Sequence, residues 1–186
     1  MVNKELFSFG NNISRMKNFI RIHWVDYLAL LLISAIFITL DQLTKTCIRI
    51  YLEPGEEWLP DNLTWLLPYA RIRYWYNSGA AFGLFQGGSL VFTFLAFIVG
   101  GFILYYFPHV PRKDSWFRLA LILQFSGAIG NLIDRLRYDG KVTDFISVGN
   151  FAIFNVADSC ITVGTIILIL GVYLSERAEK RNQSKS

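Results

Sequence analysis

Four long runs almost free of charge, Tyr27–Leu40, Leu90–Phe107, Phe117–Leu132 and Ser159–Leu174, decide what this chain can fold into. With their Trp and Tyr flanks, each reaches the roughly 17–25 residues that cross a bilayer as a helix. A helix is required there because lipid offers backbone N–H and C=O groups no partner. The first run is the shortest, and Asp26 at its start reads as an interfacial residue. Of the 186 residues 53% are hydrophobic and only 17% charged, a balance that a soluble domain of this size rarely has. The expectation is a membrane all-α fold. Four transmembrane helices form a single integral domain over residues 1–186, with a basic cytoplasmic tail at 1–23 and a second cytoplasmic tail at 175–186.

The first run is followed by Asp41-Gln42-Leu43-Thr44-Lys45, where a cleavable signal peptide would carry a site of small residues. It therefore reads as a retained span. Cys47 and Cys160 stand in different contexts, so they imply no disulfide framework, and Cys160 reads as a packing residue within a span.

Orientation follows from Lys and Arg placement. The N-terminal segment, the loop between the second and third spans, and the C-terminal tail together hold eleven basic residues, much of the set dense and close to span ends. The other two connections hold seven, spread over longer loops. Both termini are thus expected in the cytoplasm. Asp41, Asn131, Asp134, Asp144, Asn155 and Asp158 then collect at the outer face, with His23 and His109 on the opposite side. That separation excludes a His-based metal site or a Ser-His-Asp triad on the outer face. The net charge of +4 fits the cytoplasmic bias and calls for no nucleic-acid partner.

The stretch from Asp41 to Ser89 is long for a bare connection. Asn62–Leu67 and Arg71–Tyr76 are rich in aromatic and branched residues, and the second alternates as a half-buried strand does. Two readings stand: a small extramembrane sheet lying on the bilayer, or an irregular loop with interfacial aromatics. Asn77-Ser78-Gly79-Ala80-Ala81-Phe82-Gly83 follows, either a small-residue turn or an open edge for an extended peptide. At the end of the third span, Asn131 and Asp134 are three apart and share a helix face, with Arg135 beside them as a natural carboxylate partner. Asp134 and Arg135 serve equally well as interfacial residues that fix helix depth. Asp41 and Lys45 are spaced as a helical ion pair, yet a carboxylate near a helix C-terminus is unfavourable and points to a further partner.

Most informative is Val142-Thr143-Asp144-Phe145-Ile146-Ser147-Val148-Gly149-Asn150-Phe151-Ala152-Ile153-Phe154-Asn155-Val156-Ala157-Asp158, an uncharged run bracketed by two acids. Gly149-Asn150 is a two-residue turn signal. With the turn there, Val148 faces Phe151 and Asp144 falls opposite Asn155, about one helical turn before Asp158. Asp158 suits a helix first turn and Asn155 an N-cap, but capping accounts for only one acid. Two close carboxylates in a low dielectric share a proton, and such a pair can activate water against an amide.

Five motifs in order, Asp41-Gln42-Leu43-Thr44-Lys45, Asn77-Ser78-Gly79-Ala80-Ala81-Phe82, Gly127 through Arg135, Val142-Thr143-Asp144-Phe145 and Phe154 through Ser159, carry a resemblance across roughly residues 25–175. The chain resembles the bacterial lipoprotein signal peptidases (signal peptidase II), a family of membrane aspartyl proteases. The resemblance implies removal of the signal peptide from diacylglyceryl-modified prolipoproteins, with cleavage just before the lipidated cysteine. It implies Asp144 and Asp158 as the catalytic pair. Asp41, Lys45, Asn77, Gly79, Asn131, Asp134, Arg135 and Asn155 are implied to support the pair or the substrate backbone. It further implies an outer-face sheet forming a cradle over the site, a monomer in the bacterial inner membrane, lipid and lipidated prolipoprotein as partners, and no metal or cofactor. Thr143 stands where the family usually has an apolar residue; its hydroxyl either bonds near the pair or faces solvent. The competing class is a small ion-coupled membrane transporter, which requires polar residues through the depth of the spans and an internal repeat.

Overall fold

The computed structural model describes residues 2–79 and 87–183, so Ala80, Ala81, Phe82 and Gly83 of the small-residue motif lie outside the described residues. Helix α1 covers Val2–Tyr51, α2 Ser89–Tyr106, α3 Ser115–Arg137 and α4 Val156–Gln183. Their segments Ile22–Tyr51, Ser89–His109, Ser115–Arg137 and Val156–Arg177 are each long and apolar enough to cross a membrane. Helix α3 is the central one: most of its span is buried, and it packs against α1, α2 and α4. The other three turn Leu, Ile and Phe side chains outward, as helices facing acyl chains do.

One half of the bundle is a conventional apolar core. Leu30, Ile103, Phe107, Val110, Leu121, Ile122 and Phe125 pack together there. That end is closed by Asp26, which is buried rather than interfacial: Arg118 donates to its Oδ1 at 2.8 Å, and Arg112 reaches both oxygens at 3.0 and 3.2 Å. A buried carboxylate is tolerable only with such partners. The other half of the bundle, toward the C-terminal ends of α1 and α3 and the N-terminus of α4, is polar inside.

Above the polar half lies a three-stranded antiparallel sheet in the order β1 (Glu57–Trp58), β2 (Ala70–Asn77), β3 (Val142–Val148). The sheet reading of the long first connection is therefore the right one, and Arg71–Tyr76 lies in β2. Asn62–Leu67 is not a strand. Asp61–Leu66 forms a 3-10 helix entered at Pro60 (φ −57°), with Leu63 N–H bonded to Pro60 O and the Thr64 hydroxyl to Asp61 O. Its run of Leu63, Trp65, Leu66 and Leu67 lacks the two-residue alternation of a half-buried strand. The strand that does pair is Glu57–Trp58, where the Glu57 carboxylate meets Arg71 at 3.1 Å and Arg73 at 3.4 Å across the ladder.

The Gly149-Asn150 turn forms: Phe151 N–H bonds to Val148 O at 2.9 Å, and Gly149 takes φ +51°. The expected hairpin ladder does not follow it. Instead Phe154 O accepts from both Phe145 and Ile146 N–H, a bulge in which two residues oppose one. The register becomes Ile146 opposite Phe154, one residue away from the expected pairing. The long partner of β3 is β2.

Helices α3 and α4 approach through glycine. A Cβ on Gly127 would run into Ala157 O and the Ile161 side chain, and one on Gly130 would meet Asp41 Oδ2 at 2.8 Å. Gly101 of α2 has nothing within 4 Å of a Cβ. We expect Gly127→Ala to separate α3 from α4 and cost about 1–3 kcal/mol, as overpacking does. Gly101→Ala should be neutral. Thermal unfolding of both variants in one detergent checks this.

Candidate active site

The sequence of α1 turns polar at Asp41, and every fourth residue from there faces α3. Lys45 is 0% exposed and its ammonium has three buried partners: Asp41 Oδ2 at 2.8 Å, Asn131 Oδ1 at 3.0 Å and Asp134 Oδ2 at 3.6 Å. Gln42 adds a second tie, its Nε2 donating to Asp41 Oδ2, Gly130 O and Asp134 Oδ1 at 3.1–3.2 Å. The sequence placed Asp41 near a helix end. In fact α1 runs on to Tyr51, and the further partner of Asp41 is the start of α4, whose Ala157 N–H bonds Oδ1 at 2.9 Å. A carboxylate at the N-terminus of a helix meets the positive end of its dipole. The local pair and the specific partner are both real.

Asn155 and Asp158 form a capping box at the same helix end. Asp158 N–H donates to Asn155 Oδ1 at 2.9 Å, and Asn155 N–H donates to Asp158 Oδ2 at 3.2 Å. Asn131 Nδ2 donates to the other oxygen of Asp158 at 2.7 Å. Asp144, from β3, receives Asn155 Nδ2 on Oδ1 at 2.6 Å and Asn77 Nδ2 on Oδ2 at 2.9 Å. The hairpin argument therefore brought the right groups together despite its one-residue slip, because the Asn155 side chain spans the gap.

Each asparagine is locked in orientation by a group that can only donate. The Lys45 ammonium takes Asn131 Oδ1, the Asp158 amide takes Asn155 Oδ1, and the Gly79 amide takes Asn77 Oδ1 at 2.9 Å. Each amide NH2 is thereby aimed at a carboxylate. Gly79 acts through its backbone, which places it beside the acids without a side chain.

The Asp144 carboxyl is pushed up to about 7, first by burial and then by the charge of Asp158; the bonds from Asn77 and Asn155 work against the rise. Asp134 belongs to a different layer. Its carboxylate is occupied by Lys45, Gln42, Arg49 at 3.6 Å and the Thr143 N–H at 2.9 Å. Arg135 makes no hydrogen bond or ion pair with either Asp144 or Asp158 among the described residues. Its guanidinium lies 5.5 Å over the Phe92 ring and lines the cleft next to the two acids.

That cleft is about 650 Å3, with Phe92, Leu95 and Val99 of α2 and Ile161 of α4 forming apolar walls and Asp144 and Asp158 among its lining. Among the described residues no three His, Cys, Asp or Glu side chains are grouped to hold a metal ion. Sequence reasoning missed Arg49, whose Nη1 donates to Thr143 Oγ1 at 2.8 Å and whose guanidinium stacks on Tyr138 at 4.4 Å. Its spacing of four from Lys45 places it on the same helix face, and that was the available signal.

Four apolar helices under a small sheet, with paired acids where they meet, are the build of a membrane aspartic protease. The chain belongs to the signal peptidase II family: the family model described as signal peptidase (SPase) II matches residues 33–174. It is 38% identical to the lipoprotein signal peptidase of Shouchella clausii over 154 residues, 81% of this chain and 97% of that one. Against the lipoprotein signal peptidase of Moorella thermoacetica it is 38% identical over 138 residues, 74% of this chain and 88% of the relative. A bacterial membrane enzyme solved by the in meso method at 2.3 Å superposes with a TM-score of 0.71 at 30% identity, covering 82% of this chain and 91% of that one. A second, solved by the same method at 1.9 Å, gives 0.66 at 31% identity, covering 77% and 92%. The family supports signal-peptide removal from lipoproteins in a bacterial inner membrane. The transporter reading also fails on distribution. Among the described residues the buried charged side chains form two clusters at opposite ends of the bundle, Asp26 with Arg118 at one and Asp41, Lys45, Asp134 and Asp144 at the other, with only serines such as Ser34 and Ser126 buried between them.

The raised Asp144 gives a signed pH prediction. Below about 4 the carboxyl is protonated in both folded and unfolded chains; between the ordinary 3.8 and about 7 only the folded form keeps its proton. The stability that this proton uptake supplies is full at the acid end and is lost as pH rises toward 7. Tm plotted against pH should therefore fall more steeply over that window in the parent protein than in Asp144→Asn. Parallel curves would contradict the assignment.

Proposed function

We propose that this protein is an aspartyl endopeptidase that cleaves diacylglyceryl-modified prolipoproteins immediately before the lipidated cysteine, with Asp144 and Asp158 as its catalytic pair. The observation that carries the reading is the convergence of both acids on Asn155, each with hydrogen bonds to both of its oxygens. Charge accounting supports a single shared proton. Asp41, Asp134, Asp144 and Asp158 face Lys45, Arg49 and Arg135, so one proton on the pair leaves the cluster neutral in a low-dielectric setting.

In the reaction, the ionised member of the pair takes a proton from water as the oxygen attacks the scissile carbonyl. The protonated member donates to the carbonyl oxygen. As the tetrahedral intermediate collapses, the member that took the water proton passes it to the departing amine while the other takes a proton back from a hydroxyl of the intermediate. The carboxylic acid product forms and the pair returns to its singly protonated state. Asn77, the last residue of β2, and Gly79 just beyond it are placed beside the two acids to hold an extended substrate backbone. Asn131, Asn155 and Lys45 fix the carboxylates, and Arg135 offers its donors to the cleft. The apolar walls suit a lipidated substrate. The Lys and Arg distribution supports cytoplasmic termini and a site at the outer face, and a site assembled from one chain supports a monomer.

Incubation of the purified protein with a diacylated prolipoprotein, followed by mass measurement, should give a product beginning at the lipidated cysteine. The unlipidated substrate should remain intact, and equal processing of both would refute the substrate class. Asp144→Asn and Asp158→Asn should each lower kcat by about 100–10,000-fold while inserting and folding normally. Turnover by folded Asp144→Asn, with Asp134→Asn inactive, would instead make Asp134 the partner of Asp158.

A further inference from the structure

Thr143 is 0% exposed, and all three of its polar atoms are engaged. Its N–H donates to Asp134 Oδ2 at 2.9 Å, its hydroxyl oxygen accepts from Arg49 Nη1 at 2.8 Å, and its carbonyl lies 3.4 Å from Asn155 Nδ2. A surface threonine in a strand has no such set of partners. These reach it from three elements: α1 through Arg49, α3 through Asp134, and the N-terminus of α4 through Asn155.

The location gives the arrangement a purpose. Successive side chains of a strand point to opposite faces, so Thr143 and Asp144 project in opposite directions from β3. Pinning the Thr143 side chain from behind fixes the rotation of the strand and with it the direction of the Asp144 carboxylate. The sheet alone does so incompletely. The β2–β3 ladder pairs Trp75 with Asp144 and then shifts register before it resumes at Ile72 and Ile146. A bulge of this kind bends the strand and loosens its pairing locally.

Arg49 in turn is held on every side. It pairs with Asp134 at 3.6 Å, donates to Thr46 Oγ1 at 3.1 Å and stacks over Tyr138 at 4.4 Å. Its guanidinium thus joins the last turn of α1 to the α3–β3 connection and to the strand. A rigid, planar, multiply bonded group suits that task, whereas a lysine offers only a point charge.

We infer that Arg49 and Thr143 act as a coupled pair of positioning residues that aim Asp144 into the site, touching neither water nor substrate themselves. The inference rests on Asp144 being catalytic. It concerns geometry, so the rate should fall while substrate affinity and the pH at which the pair titrates stay where they are. A misplacement of well under 1 Å is enough to lower a rate severalfold or more.

The test is steady-state kinetics on a diacylated prolipoprotein with Thr143→Val, Thr143→Ser, Arg49→Ala, Arg49→Lys and the Arg49→Ala/Thr143→Val double variant. Thr143→Val keeps the volume and removes only the hydroxyl. Its kcat should fall about fivefold to tenfold, with KM within about twofold of the parent. Thr143→Ser should restore most of the rate. Arg49→Ala should match or exceed the loss in Thr143→Val, and Arg49→Lys should recover only part of it. The double variant should be no slower than Arg49→Ala alone, since residues acting as one unit do not add. Rates are taken per folded molecule, from material eluting as a single species, and the pH profile of each variant should keep the parent midpoints. Parent kcat in Thr143→Val, losses that multiply in the double variant, or a displaced pH profile would each overturn the inference. Asp144→Asn separates the two levels. If it is active, the catalytic reading falls; if it is inactive while Thr143→Val runs at the parent rate, only the positioning pair falls.

Discussion

The ammonium of Lys45 is the constraint on which the active end of this protein depends. A fully buried cation is ruinous without partners, and here it is flanked by Asp41, Asn131 and Asp134. Meeting that demand draws α1 against α3. Asp41, held in place by Lys45, then reaches the first turn of α4 through the Ala157 amide. The close approach needed for these contacts is possible because Gly127 and Gly130 leave no side chain between α3 and α4. One charge therefore fixes three helices at the same depth.

From that anchor the order passes outward through asparagines. Lys45 sets the rotamer of Asn131, which aims its amide at Asp158. The capping box sets Asn155, which aims its amide at Asp144. Asn77, turned by the Gly79 amide, closes the other side. Every donor that reaches the two acids thus has its own orientation dictated by a neighbour, which is the preorganisation that electrostatic catalysis requires. The same dryness that makes the network rigid raises the Asp144 carboxyl into the neutral range, where a shared proton is useful.

How much of this was legible beforehand depends on the range of the interaction. The four spans were plain, because a bilayer imposes length and apolarity locally on each segment. The nearness of Asp144 to Asn155 and Asp158 was legible from one turn signal, Gly149-Asn150, although the bulge at Phe154 moved the register by one. Asn62–Leu67 misled because aromatic richness is shared by strands and by interfacial 3-10 turns, and Pro60 decides in favour of the turn. Asp26 was read as interfacial because its partners, Arg112 and Arg118, are more than eighty residues away. The roles of Arg49 and Thr143 were hidden for the same reason: their contact joins α1 to β3, and no local pattern announces a pairing across 94 residues.

The central claim is that Asp144 and Asp158 hold one proton between them near neutrality. Infrared difference spectroscopy across about pH 5 to 9 reads protonated carboxyl groups directly, through a carbonyl stretch that carboxylates lack. The account predicts that the parent protein loses one such carbonyl signal with a midpoint near 7, and that Asp144→Asn lacks this titration. A parent protein whose carboxyl groups are all ionised by pH 5, with no signal lost near neutrality, would contradict it.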